Sequence, residues 1–125
     1  MAGYDKAKHL LERIDKYCDE IDSLTKRFGN TYEAYCADSA YRHASSMCTL
    51  HIGELASRLP DDFKTKYSGV SWKEIRGMRN IFAHDYDNVN MDEAWRTITV
   101  DIPHLKEYCG EIMRLEGYDV SEVDV

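Results

Sequence analysis

Arg79, Asn80 and His84 stand close together in the run SWKEIRGMRNIFAHDYD, residues 71–87, with Tyr86 two positions beyond the histidine. Arginine is a permanently charged, forked donor for phosphate oxygens, and histidine exchanges protons near neutral pH. The pair points to phosphodiester chemistry. Metal-free cleavage of a phosphodiester by a neighbouring hydroxyl needs a base for that hydroxyl, an acid for the leaving oxygen and positive charge for a phosphorane-like transition state. His84 is the candidate base or acid, Arg79 the candidate source of charge, and Asn80 a candidate for orienting a phosphate or the histidine. In a straight helix a five-residue step turns by about 500°, which leaves positions 79 and 84 about 140° apart. Convergence therefore requires the helix to end or bend around Phe82 to Ala83, and Asp85, Asp87 and Asn88 suit such an ending. One motif brings one histidine to a reaction that uses both an acid and a base, so a two-fold dimer sharing one cleft is expected. The bland alternative is a helix C-terminus at which Arg79 and His84 meet only the last carbonyls and a nearby acid.

The set Trp72, Ile75, Gly77, Arg79, Asn80, His84 and Tyr86 resembles the signature of the HEPN superfamily and, within it, of the HepT-like toxins: Arg, four residues, His, any residue, Tyr. The likeness extends to the Ile52-Gly53-Glu54 step before a proline-bounded loop and to a last helix carrying Trp95, Asp101 and Pro103. What the resemblance implies is an all-α bundle that cleaves RNA without metal, with Arg79 and His84 catalytic at a dimeric site. It also implies a toxin whose antitoxin is a minimal nucleotidyltransferase that transfers AMP to the hydroxyl of Tyr86. Glu54 resembles a recurrent acidic position near such sites and reads equally well as a solvated helix residue. Two other classes remain open: a non-catalytic helical module binding a nucleotidyltransferase or a nucleotide, and a plain dimerisation bundle.

The elements that must position these residues are helices. Apolar residues at Leu10, Ile14, Tyr17, Ile21, Leu24 and Phe28 alternate four and three steps apart and form one stripe, which Gly29 ends. Asn30 with Glu33 makes a capping box for a second helix of nearly 30 residues, running to Pro60. Ser71 with Glu74 makes another at the start of the motif helix, in which Trp72, Ile75, Met78 and Phe82 are core by spacing. Asn90 with Glu93 makes a third, before a final helix that Pro103 kinks or splits. No β-alternation or repeat competes, so the expected fold is an up-and-down bundle of four or five helices.

With 125 residues the chain suits one domain, placed at 1–116, followed by an acidic, loosely held tail at 117–125. No apolar run approaches the ~18 residues that span a bilayer, and the N-terminus is too polar for a secretory signal, so a soluble cytoplasmic protein is expected. Cys18, Cys36, Cys48 and Cys109 form no C-x-x-C pair and sit within helical patterns, as reduced buried thiols do. The net charge of -7 argues against a broad nucleic-acid-binding face but leaves room for a small basic cleft. Residues 1–84 carry 13 Lys and Arg against 12 Asp and Glu, whereas 85–125 carry 3 against 11. Just before the motif the balance turns positive, from Lys73, Arg76 and Arg79 against Glu74.

No metal or cofactor is expected. His51-x-x-Glu54 reverses the di-iron order and has no second copy, and Cys48 and His51 lack further ligands at a recognisable spacing. His9, His43 and His104 are isolated.

Overall fold

A computed structural model describes the backbone of residues 2–84 and 90–118 and the side chains of residues 6–78 and 90–118. The described residues are all helical apart from turns and connections: α1 (Ala2–Phe28), α2 (Tyr32–Ala37), α3 (Ser39–Ser57), α4 (Asp61–Lys66), α5 (Trp72–His84), α6 (Met91–Arg96), a π-helical turn (Thr97–Asp101) and α7 (Ile102–Leu115). This is the all-α bundle that the periodicity calls for.

The long first stripe becomes α1. Leu10, Leu11, Ile14, Cys18 and Ile21 are buried, with Tyr17, Leu24 and Phe28 packed against the same core. Gly29 stops the helix at φ 111°, a conformation that an L side chain resists, and its N–H donates to the carbonyl of Thr25 at 3.0 Å.

The single second helix expected from residue 30 to 60 is two helices. Thr31, not Asn30, caps the first, its Oγ1 accepting from the Ala34 N–H at 3.1 Å. Asp38 then adopts an extended conformation, φ -121° and ψ 109°, and its Oδ1 accepts from the N–H groups of Ala40 and Tyr41. A short carboxylate competes for backbone donors in this way, which is why aspartate favours caps over helix interiors. Arg42 completes the corner by donating from Nη1 to the carbonyls of Tyr35 and Cys36, two of the acceptors that the end of α2 leaves open. The break lets Tyr35 meet Tyr41 edge-on at 5.3 Å and Trp95 at 5.4 Å between ring centroids.

The other two boxes form at their acceptor ends. Ser71 Oγ accepts from the Glu74 N–H at 3.3 Å, and Asn90 Oδ1 accepts from the N–H groups of Asp92 and Glu93 at 2.9 and 3.2 Å. Pro103 does divide the final helix, through a π turn. Proline lacks an N–H and its ring collides with the carbonyl four residues back, here that of Thr99. Widening the preceding turn relieves that crowding, and the Ile102 N–H reaches back five residues to the carbonyl of Thr97. At the far end Gly117, with φ 75°, and Tyr118 close α7 by N–H donation to the carbonyls of Arg114 and Met113. These two residues, placed in the tail by sequence, thus belong to the helix end, and Tyr118 packs on the core. Residues 119–125 lie outside the described part.

The helices run up, down, up, down. Tyr17 stacks on His51 at 4.9 Å and Phe28 on Tyr41 at 5.2 Å, so α3 runs back along α1. Lys106 reaches Asp15 and Asp19 midway along α1, while Trp95 lies over Tyr32 and Tyr35 just past its end, so the α6–α7 helix also runs antiparallel to α1. The start of α5 is tied to α7, with the Gly69 N–H donating to Tyr108 Oη at 2.9 Å and Trp72 facing the same ring. Hence α5 runs parallel to α1 and antiparallel to α3, against which it packs.

Candidate active site

Helix α5 carries the motif. It is started by Ser71 and anchored by Trp72, which is buried and donates from Nε1 to the carbonyl of Tyr67 at 2.7 Å. Ile75 is buried and Met78 half-buried, so the first two turns fix how the helix is rotated on the core. The partner face of α3 is made of small residues. Ser46, Thr49 and Gly53 are buried on the side away from His51 and Cys48, which meet α1, and they let α5 approach closely.

The described backbone stays helical through Phe82 and Ala83 to His84, and an ending at Asp85, Asp87 and Asn88 lies outside the described residues. Arg79, Asn80 and His84 therefore share one uninterrupted helix, and positions 79 and 84 stay about 140° apart and ~7.5 Å along the axis. Position 79 lies two turns beyond buried Trp72, on the core-facing side. Position 84 shares the outward side with Lys73, Gly77 and Asn80, at successive steps of four, three and four residues. Bringing Arg79 and His84 to bear on one phosphate within a chain thus falls to side-chain reach rather than to a helix break. Their side chains, and residues 85–89 with Tyr86 among them, lie outside the described part.

Glu54 is half-buried, near the end of α3. Because α3 and α5 are antiparallel, the end of α3 that carries it lies at the opposite end of the bundle from His84. The bundle end where α5 finishes is aromatic instead, built from Phe28, Tyr32, Tyr35, Tyr41 and Trp95. Sequence reading did not foresee this floor, because its rings come from four separate segments and none shows in a local pattern.

Beside the first half of α5 a groove of about 350 Å³ opens toward the π turn and α7, with Glu74, Met78, Asp101 and His104 among its lining. Two carboxylates make it a poor seat for phosphate. Three of the thiols are poor nucleophiles: burial pushes Cys18 and Cys48 up to about 12, and Cys109 is raised by burial as well. His51, stacked on Tyr17, belongs to packing.

A family model described as Ribonuclease HepT-like matches residues 14–112. The chain belongs to the HepT-like ribonuclease family. Its relatives include a protein of Methanocaldococcus jannaschii, named as a putative RNase, that is 33% identical over 93% of this chain and 95% of that protein. Another, given the same description in Caldanaerobacter subterraneus subsp. tengcongensis, is 36% identical over 85% of this chain and 93% of its own length. The "Probable ribonuclease HepT" of Thermococcus cleftensis is 30% identical over 79% and 88%. No solved structure matches. No helix among the described residues of this HepT-like chain is long and apolar enough to cross a membrane.

Proposed function

We propose that this HepT-like chain is a metal-independent endoribonuclease acting as a toxin, held in check by a nucleotidyltransferase antitoxin that AMPylates Tyr86. The observation that carries the reading is the complete Arg79, His84, Tyr86 set in the sequence of a chain of this family. A base takes the proton from the 2′-hydroxyl, whose oxygen attacks phosphorus. The bond to the 5′-oxygen breaks, and an acid returns a proton to that leaving oxygen, giving a 2′,3′-cyclic phosphate and a 5′-hydroxyl. His84 serves as one of the two proton carriers, and Arg79 neutralises the non-bridging oxygens through its planar fork.

Two copies of the chain supply the second proton carrier. The continuous α5 supports this arrangement, since a straight helix aims positions 79 and 84 apart and lets one copy's arginine serve beside the other's histidine. Asn80 adds a polar contact between them in sequence, and Glu54 plays a supporting part.

The test is cleavage of single-stranded RNA in excess chelator by wild type, Arg79→Ala and His84→Ala. Wild type should yield cyclic phosphate ends, and each variant should lose ~10²- to 10⁴-fold in rate while keeping its helicity. Wild-type cleavage rates in both variants would refute the assignment.

A further inference from the structure

Two glycines near α5 ask to be explained, and only one is accounted for by the chain itself. A Cβ on Gly69 would lie 2.5 Å from the Tyr108 ring, so that glycine is needed for the close packing of the α5 entry on α7. A Cβ on Gly77 would meet nothing within 4 Å. Yet Gly77 sits in the middle of α5, where glycine is the poorest ordinary helix former. Its own fold gains nothing from the missing side chain, so the bared stretch of backbone serves a molecule outside the chain.

The charge around Gly77 says which kind. Lys73, one turn earlier on the same outward side, and Arg76, its neighbour, are exposed, and neither is paired with a carboxylate among the described residues. The acids of α5 and the π turn, Glu74 and Asp101, line the groove on the opposite flank. The helix is thus basic on its outer side and acidic on its α7 side. A second copy of α5 crossing at Gly77 would set like charges against one another, whereas a polyanion would be drawn in. Residues three and four apart on a helix have Cβ atoms about 5–6 Å from each other, so Lys73 and Arg76 form a short cationic ridge leading toward position 79.

We propose that Lys73, Arg76 and the bare backbone at Gly77 form a subsite for the sugar-phosphate backbone of an RNA strand next to the phosphate that is cut. The proposal rests on the ribonuclease reading and adds to it residues that position the strand. Lys73 and Arg76 hold flanking phosphates, and the absent side chain at Gly77 lets the ribose approach the helix on the way to His84. The net charge of -7 makes such a local ridge the more necessary, because the rest of the surface repels RNA.

A fluorescein-labelled 12-nucleotide single-stranded RNA tests this on the full-length chain. Binding is read by anisotropy in a His84→Ala background, where the strand stays intact, and cleavage in the otherwise wild-type chain. K73Q/R76Q should bind roughly tenfold more weakly, and the slope of log affinity against log salt should fall by about 1.4, the loss of two single-strand phosphate contacts. In cleavage its KM should rise while kcat stays near wild type, and the difference should vanish on a dinucleotide too short to reach the subsite. G77A should melt roughly 3 °C higher, as its Cβ meets open space, and still bind RNA more weakly. Unchanged RNA affinity and salt slope in both variants would overturn the subsite while leaving the ribonuclease reading intact. A G77A chain that sediments at a lower mass than wild type would assign the bare face to a protein contact and overturn it too. If the parent chain itself neither binds nor cleaves RNA, the ribonuclease reading falls and the subsite with it.

Discussion

Under the control proposed above, a group attached to the hydroxyl of Tyr86, two residues past His84 in sequence, would compete with the substrate for space. Each AMP added there brings a phosphate charge and a nucleotide's bulk against incoming RNA, and both oppose binding. Mass spectrometry of the intact chain, co-expressed with the proposed nucleotidyltransferase antitoxin, should show a gain of one or more AMP units. Tyr86→Phe should show none and should stay toxic in the presence of that partner. An unchanged wild-type mass, or an adduct on another residue, would remove Tyr86 from control. The candidate residues stood out in the sequence through their match to the HepT-like motif, since an arginine and a histidine five residues apart recur in many helical proteins. The direction in which positions 79 and 84 face was not legible there, because it depends on whether the helix carries through Phe82 and Ala83, as the backbone does to His84. Gly77 was visible as a letter of the motif, and its meaning needed the knowledge that no neighbour fills its Cβ position.

Helix α7 is held to α1 by Lys106, whose ammonium donates to Asp15 at 2.9 Å and lies 2.7 Å from Asp19. Asp15 is only 5% exposed, so removing the cation would leave a carboxylate stranded among apolar neighbours. Lys106→Met should therefore cost about 2 kcal/mol, below the range for fully buried pairs because part of the lysine meets solvent. Burial alone would lower the lysine's pKa, but the hydrogen bonds that its ammonium donates to Asp19 and Asp15 outweigh it and raise it above its ordinary 10.5. A raised value means that the contribution is complete below 10.5 and fades as pH climbs through the folded-state value. Chemical denaturation of wild type and variant should give a constant difference from roughly pH 6 to 9, narrowing only in more alkaline solution. A difference that shrinks between pH 9 and 6 would contradict the assignment. At this scale the sequence was most legible where structure is local. Ser71 and Asn90 cap the helices that their boxes announce, since a cap needs only its own next three residues. The corner at Asp38 was hidden because the helical pattern runs through it, and the break is stabilised by Arg42 and by Tyr35 turning toward Trp95, both outside local reach. Pro103 announced an interruption, but only packing on both sides decides whether the helix splits or widens into a π turn.

Across the whole molecule, the site asks for more than one chain provides. A single α5 supplies one His84 and one Arg79 on different sides of the helix, while the reaction moves a proton off one oxygen and onto another. Two copies related by a two-fold axis meet that demand by bringing both motifs to one shared cleft, with two His84 and two Arg79. The consequence is complementation. An Arg79→Ala chain keeps its histidine and a His84→Ala chain keeps its arginine, so each homodimer lacks one kind of group altogether. A mixed dimer keeps one His84 and one Arg79 in the shared cleft, one proton carrier fewer than wild type. Unfolding and refolding an equimolar mixture should pair the chains at random, making half of the dimers mixed. Activity should then rise above that of either variant alone while staying well below wild type. Sedimentation should place the active species near 29 kDa, about twice the 14.5 kDa chain. If each copy instead held a separate cleft built from its own groups, mixing would restore nothing, although the dimer would still sediment at that mass. A monomer fully active at nanomolar concentration would remove the need for a second copy altogether, and position 79 would then have to reach the phosphate beside its own His84 across the turn of a straight helix.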